Sequence, residues 1–202
     1  MALTSRPGDA ARKARLRFQV KGSVLRGRVT ALEAIHGLER ITPHLETDTR
    51  TLLAHPPLAS SWIDGARLVE IDDVTFDVLG QEALETVSLA SVRQSVGPLL
   101  RNVTEGTLRL FGASPATLLA RMDTLSASTV RGVTFVWTPG GPNRGSIVVT
   151  YADCTDVPMS AFVATRAGFV NVFEMCGGSG TVAPPVRSEE RAHNSARFDC
   201  SW

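Results

Sequence analysis

The sequence predicts an α+β protein: a helical N-terminal half packed on an antiparallel sheet of about four strands from the C-terminal half. Three observations carry this prediction. Apolar residues recur at helical spacing through most of the chain as far as Leu125. At Val130 the period changes to two, and β-branched and aromatic residues take over. The remainder then reads as strand pair, helix, strand pair, punctuated by proline and glycine.

Residues 1–14 are small and charged and hold a Pro-Gly pair, so they predict a disordered basic arm, with one α+β domain over 15–202. RLRFQVKG (15–22) begins with a short strand, since Leu16, Phe18 and Val20 alternate with Arg15, Arg17 and Gln19. Ser23 offers an N-cap to a first helix. Its stripe runs Leu25, Val29, Leu32 and His36, and Gly37 is a natural stop. Thr42-Pro43 repeats the start signal for a second helix carrying Leu45, Leu52 and Leu53. HPPLASSW (55–62) is a loop, because Pro56 and Pro57 remove backbone donors.

From Asp64 the helical pattern returns through Leu68, Ile71, Thr75 and Val78, breaks at Gly80 and resumes over 81–96. Gly97-Pro98 punctuates it before LLRNVTEGTLRLF. Ser114-Pro115 opens a further helix through Leu118, Leu119, Met122 and Leu125. VTFVWT (133–138) and SIVVTY (146–151) form a hairpin across PGGPNRG. Pro158 opens a helix with Met159, Phe162, Val163, Val170 and Phe173 inward, ended by Gly177-Gly178. TVAPPV belongs at a sheet edge, because Pro184 and Pro185 cannot donate to a ladder, and RFDCSW is its well-formed partner.

With 21 basic and 20 acidic side chains the formal charge is +1, which gives no reason to expect nucleic acid as the main partner. No apolar run reaches the roughly 18–20 residues that cross a bilayer, and the N-terminus lacks the apolar stretch of a secretory signal. A cytoplasmic location is expected, and three cysteines without close spacing agree with reduced thiols.

Chemical motifs are sparse. His36, His44, His55 and His193 show no zinc-binding spacing; His36 on a helix stripe reads first as a buried, satisfied histidine, with a haem or metal ligand as the alternative. Cys154, Cys176 and Cys200 read as buried small hydrophobes. CGGSG (176–180) follows a helix rather than preceding one, and GGPNRG (140–145) joins two strands, so neither cradles phosphate. Asp72-Asp73 and Glu189-Glu190 are adjacent pairs whose side chains diverge, and no GxSxG elbow is present. No metal or cofactor is expected. What stands out is aromatic placement: Phe135, Trp137, Tyr151, Phe162, Phe169 and Phe173 fall in the sheet-and-helix part, with Phe198 and Trp202. They form a core, and they are also the candidate lining of an apolar ligand cavity between the layers.

The order of elements resembles the superfamily of ligand-sensing domains that includes H-NOX, vinyl-reductase-type domains and TRAPP subunits. More narrowly it is similar to an uncharacterised myxobacterial family of about this length. The resemblance rests on KGSVLRGRV, SSWIDG, LFGASPATLLARM, FVNVFEMCGG and ARFDCSW. It implies a helical N-terminal half, an antiparallel sheet, often a homodimer, and binding of a small apolar ligand or a protein partner without catalysis. Two departures follow from it. Vinyl-reductase-type domains commonly carry a cysteine at the start of the last strand, where this chain has Ala196, and another a few residues earlier, where it has EERAHNS. H-NOX haem binding uses a proximal histidine and a tyrosine–serine–arginine signature, and the one tyrosine here, Tyr151, stands in TYADCT.

The leading expectation is a cytoplasmic, non-enzymatic sensor or adaptor that binds an apolar small molecule or a protein partner, as a homodimer. A structural interaction module with a filled core is the alternative. An enzyme with a dispersed site would draw on Cys154, His36 or His193.

Overall fold

The computed structural model describes residues 16–95, 114–188 and 193–202. The basic arm, the LLRNVTEGTLRLF segment and Glu189-Glu190 lie outside the described residues.

A short strand β1 (Gln19–Lys21) leads directly into α1 (Gly22–Ala34). Ser23 is not its cap: it sits inside the helix, and Lys21 occupies the cap position without a side-chain bond. The helix also ends before Gly37. His36 takes the left-handed turn at φ 52°, whereas Gly37 has an ordinary φ of −87°. His36 is therefore exposed, not buried on the stripe. A short helix that the sequence did not predict, α2 (Leu38–Ile41), precedes the expected second helix, which is itself broken into a 3-10 turn (Thr42–His44) and α3 (Thr47–Ala54). Leu45 and Glu46 are extended, which separates the turn from α3, and Thr42 bonds back to the Leu38 carbonyl as the end of α2.

Strand β2 (Trp62–Asp64) precedes α4 (Gly65–Leu79), whose first turn Asp64 caps by accepting the Ala66 N–H at 3.0 Å. Gly80 then turns the chain into α5 (Gln81–Ser95). The Ser114-Pro115 start holds, with Ser114 accepting the Thr117 N–H, but the helix is two short ones, α6 (Pro115–Leu119) and α7 (Met122–Ser126). Leu25, Leu32, Ile41, Ile71 and Val87 form the helical core.

Strand β3 (Val130–Arg131) pairs with β1, as β2 does, in a small three-stranded antiparallel sheet that the sequence did not announce. Lys21 and Arg131 each set a cationic group over the ring of Trp62 on this sheet, 4.2 and 3.9 Å from its centroid.

The main sheet contains the predicted hairpin, β4 (Val133–Gly141) and β5 (Arg144–Tyr151). Two short strands, β6 (Thr181–Val182) and β7 (Val186–Arg187), precede the last strand, β8 (Ser195–Ser201). β8 pairs antiparallel with β5 on one side and with β6 and β7 on the other. The edge is split because Pro184 and Pro185 interrupt the ladder between them. Five strands result, close to the expected four. Alternation buries one face: Ile147, Val149 and Tyr151 from β5, and Ala196, Phe198 and Cys200 from β8. That face is covered by α8 (Met159–Met175), which brings Phe162, Phe169 and Phe173 into full burial. α8 ends where Gly177 adopts φ 69° and its N–H bonds the Glu174 carbonyl. Cys154 and Cys200 are buried as expected, while Cys176 is only half-buried. No helix among the described residues is long and apolar enough to cross a membrane.

Candidate functional site

α8 has apolar residues nearly all round because it separates the sheet from the helical layer. Phe162 and Phe173 are fully buried in the core, and Phe173 lies 5.9 Å from Trp202 by ring centroids. A neighbouring stripe of the helix, Ala161, Ala164, Thr165, Gly168, Phe169 and Val172, faces a cavity of about 180 Å³. Val20, Val24, Leu68 and Val69 form the side toward α1 and α4. Met122, Leu125 and Val130 close the α7 end, and Val133, Phe135 and Tyr151 supply the hairpin wall. The lining is mainly apolar.

Three of the six predicted aromatic residues meet at this cavity: Phe135, Tyr151 and Phe169. Their rings are fixed by edge contacts. Phe135 lies 6.2 Å from Phe169, which lies 5.1 Å from Phe198. Tyr151 is clasped edge-on between Phe18 at 5.0 Å and Phe162 at 5.5 Å. Phe162 thus reaches the site through Tyr151, whereas Phe173 and Trp137 pack around Trp202, away from the wall.

Sequence reasoning missed the polar part of the wall. Arg28 on α1 and Asp72 on α4 both line the cavity and are buried, with Arg28 Nε 3.1 Å from Asp72 Oδ1. Arg28 Nη1 also donates to Ser88 Oγ on α5. The Nε and Oδ1 atoms are close, yet neither makes an aligned hydrogen bond. Burial pushes the Asp72 carboxyl up to about 6, against the pull of Arg28 and with a smaller upward push from Asp73. Burial also holds the Tyr151 phenol protonated, up at about 12. Asp73 diverges from Asp72, as adjacency requires, and takes a short hydrogen bond from Ser160.

Gly168 leaves the α8 wall open. A Cβ built there would meet nothing within 4 Å. Gly168→Ala is expected to raise stability by about 0.5–1 kcal/mol, the usual gain for a helix-interior glycine. Reversible chemical denaturation checks it, and a loss of stability would show that the position is closed.

The candidates for a dispersed active site do not converge. His36 and His193 are exposed, and Cys154, buried, accepts the Arg17 N–H at 3.1 Å outside the cavity lining. No group of three metal-ligating side chains is present among the described residues.

No protein-family model matches the chain, and no curated protein matches its sequence. Solved structures match it in fold. An Fe(II) unliganded H-NOX protein from K. algicida superposes with a TM-score of 0.62 at 13% identity, over 90% of this chain and 95% of that one. An oxygen-binding H-NOX domain related to soluble guanylate cyclases gives 0.59 at 11% identity, covering 90% and 94%. A structure from work on haem distortion in the H-NOX family gives 0.58 at 12% identity, again over 90% and 94%. The chain shares the α+β fold of these domains.

Proposed function

We propose that this chain is a small-molecule-binding sensor domain whose ligand occupies the cavity between α8, the α1–α4 helices and the hairpin. The observation that carries this reading is the cavity itself: about 180 Å³, mainly apolar, walled by fixed aromatic rings. A dry cavity of roughly 150 Å³ is enough to take up benzene. The domain is read as non-enzymatic and cytoplasmic, passing occupancy to a protein partner or a second copy.

The iron, haem and oxygen named for the fold neighbours make haem the first candidate to test against this lining. The residues here do not fit a histidine-ligated haem. All four histidines, His36, His44, His55 and His193, are exposed, and none lines the cavity. Among the described residues, the lining groups with any ligating chemistry are committed or weak. Asp72 is paired with Arg28, Tyr151 is bonded to Thr165, and Met122 offers a lone thioether.

Native mass spectrometry of the purified protein, paired with a denatured spectrum, tests the reading. Extra mass that disappears on denaturation is expected, and Gly168→Leu, which fills the cavity from α8, is expected to lose it. Equal retention by wild type and Gly168→Leu would place the ligand elsewhere. An apo spectrum together with no uptake of added benzene would favour a filled-core adaptor.

A further inference from the structure

We propose that the occupant of this cavity is a neutral molecule of about one ring that carries an N–H or O–H donor, received by Tyr151 Oη. This rests on the cavity being the ligand site, and adds the ligand's chemical class. The direction of the protons carries it. Thr165 Oγ1 donates to the Ala161 carbonyl one helical turn back, at 2.8 Å. A threonine hydroxyl has a single proton, so its 3.1 Å contact with Tyr151 Oη must be donated by the tyrosine. Tyr151 has thereby used its own proton and keeps only lone pairs to offer. Its ring cannot swing away, because Phe18 and Phe162 hold it edge-on from two sides. Burial keeps the phenol protonated, so the arrangement persists at neutral pH.

Charge is excluded by the other polar wall. Arg28 and Asp72 already compensate one another at 3.1 Å, so among the described residues the wall has no net charge to balance an ionic ligand. A carboxylate would face Asp72 and an ammonium would face Arg28, each losing its hydration in an apolar space. A neutral donor loses neither. Gly168 leaves room for the ring on the same stripe of α8, one turn beyond Thr165.

Titration with phenol, toluene, anisole, benzoate and benzylammonium tests this. Wild type is expected to bind phenol and toluene and to reject both ions. In Tyr151→Phe the phenol-to-toluene affinity ratio is expected to fall by about fivefold to tenfold, the worth of one hydrogen bond, with toluene binding kept. Thr165→Val supplies an independent arm: it removes the tyrosine's acceptor and turns the proton toward the cavity, so acceptor-only anisole gains on toluene. An unchanged ratio in Tyr151→Phe, or benzoate binding more tightly than phenol, would overturn the donor assignment while leaving the cavity reading intact. If neither phenol nor toluene binds wild type, the cavity reading itself falls.

Discussion

Replacing Arg28 with methionine is expected to destabilise the protein by about 3–5 kcal/mol, because it strands a buried carboxylate. Asp72 is 3% exposed and Arg28 4%, so neither charge has water to fall back on. The cost depends on pH. With its carboxyl at about 6 in the folded protein and near 3.8 when unfolded, Asp72 binds more protons in the native state between those values. Stability from this group is therefore fully present below the unfolded value and is lost as pH rises through about 6, by about 3 kcal/mol at 1.36 kcal/mol per unit. Without Arg28 the upward push is unopposed, so Arg28→Met costs more at pH 8 than at pH 5. Urea denaturation at the two pH values, with Asp72→Asn as the neutral reference, reads the effect. A loss under about 1 kcal/mol at pH 8 would mean that the pair is not buried as described.

Phe162→Ala is expected to cost about 3–5 kcal/mol, the range for emptying a fully buried phenylalanine site. Its ring is completely enclosed and supports Tyr151 edge-on at 5.5 Å. Phe135→Ala should cost distinctly less, because that ring is half-buried on the cavity wall, and should instead change the affinity for toluene. The pair of variants separates core from wall. Equal stability losses for both, with toluene affinity unchanged in Phe135→Ala, would erase that distinction. The thermal midpoint and a toluene titration of each variant provide the comparison.

Much of the fold was legible because local signals agreed. The period-two runs at 133–138 and 146–151 became paired strands in register, with Val133 opposite Tyr151 and Thr138 opposite Ser146. Pro158 and Gly177 bracket α8 as their backbone preferences require. Of the small sheet only β1 was legible, from the alternation of Leu16, Phe18 and Val20; its partners β2 and β3, of three and two residues, are too short to show a period. The break at Leu45 and Glu46 was also missed: Thr-Pro signals a helical start but does not distinguish a 3-10 turn from an α-helix.

The site was legible only in part. Aromatic enrichment pointed to the right region, yet spacing alone could not say which face of α8 meets the sheet and which meets empty space. Phe169 and Phe173 differ by one turn, and only the first borders the cavity. The Arg28–Asp72 pair did leave a trace. Arg28 interrupts the stripe of Leu25, Val29 and Leu32, and Asp72 interrupts that of Leu68, Ile71 and Thr75. Opposite charges embedded in two apolar faces signal a buried pair between helices.

The most direct measurement is a benzene titration followed by methyl resonances in wild type and Gly168→Leu. Saturable shifts confined to Val20, Val24, Leu68, Val69, Met122 and Leu125 in wild type, and absent in Gly168→Leu, are the predicted result. Shifts that are absent in wild type, scattered over other methyls, or unaltered by Gly168→Leu would contradict a ligand cavity at this place.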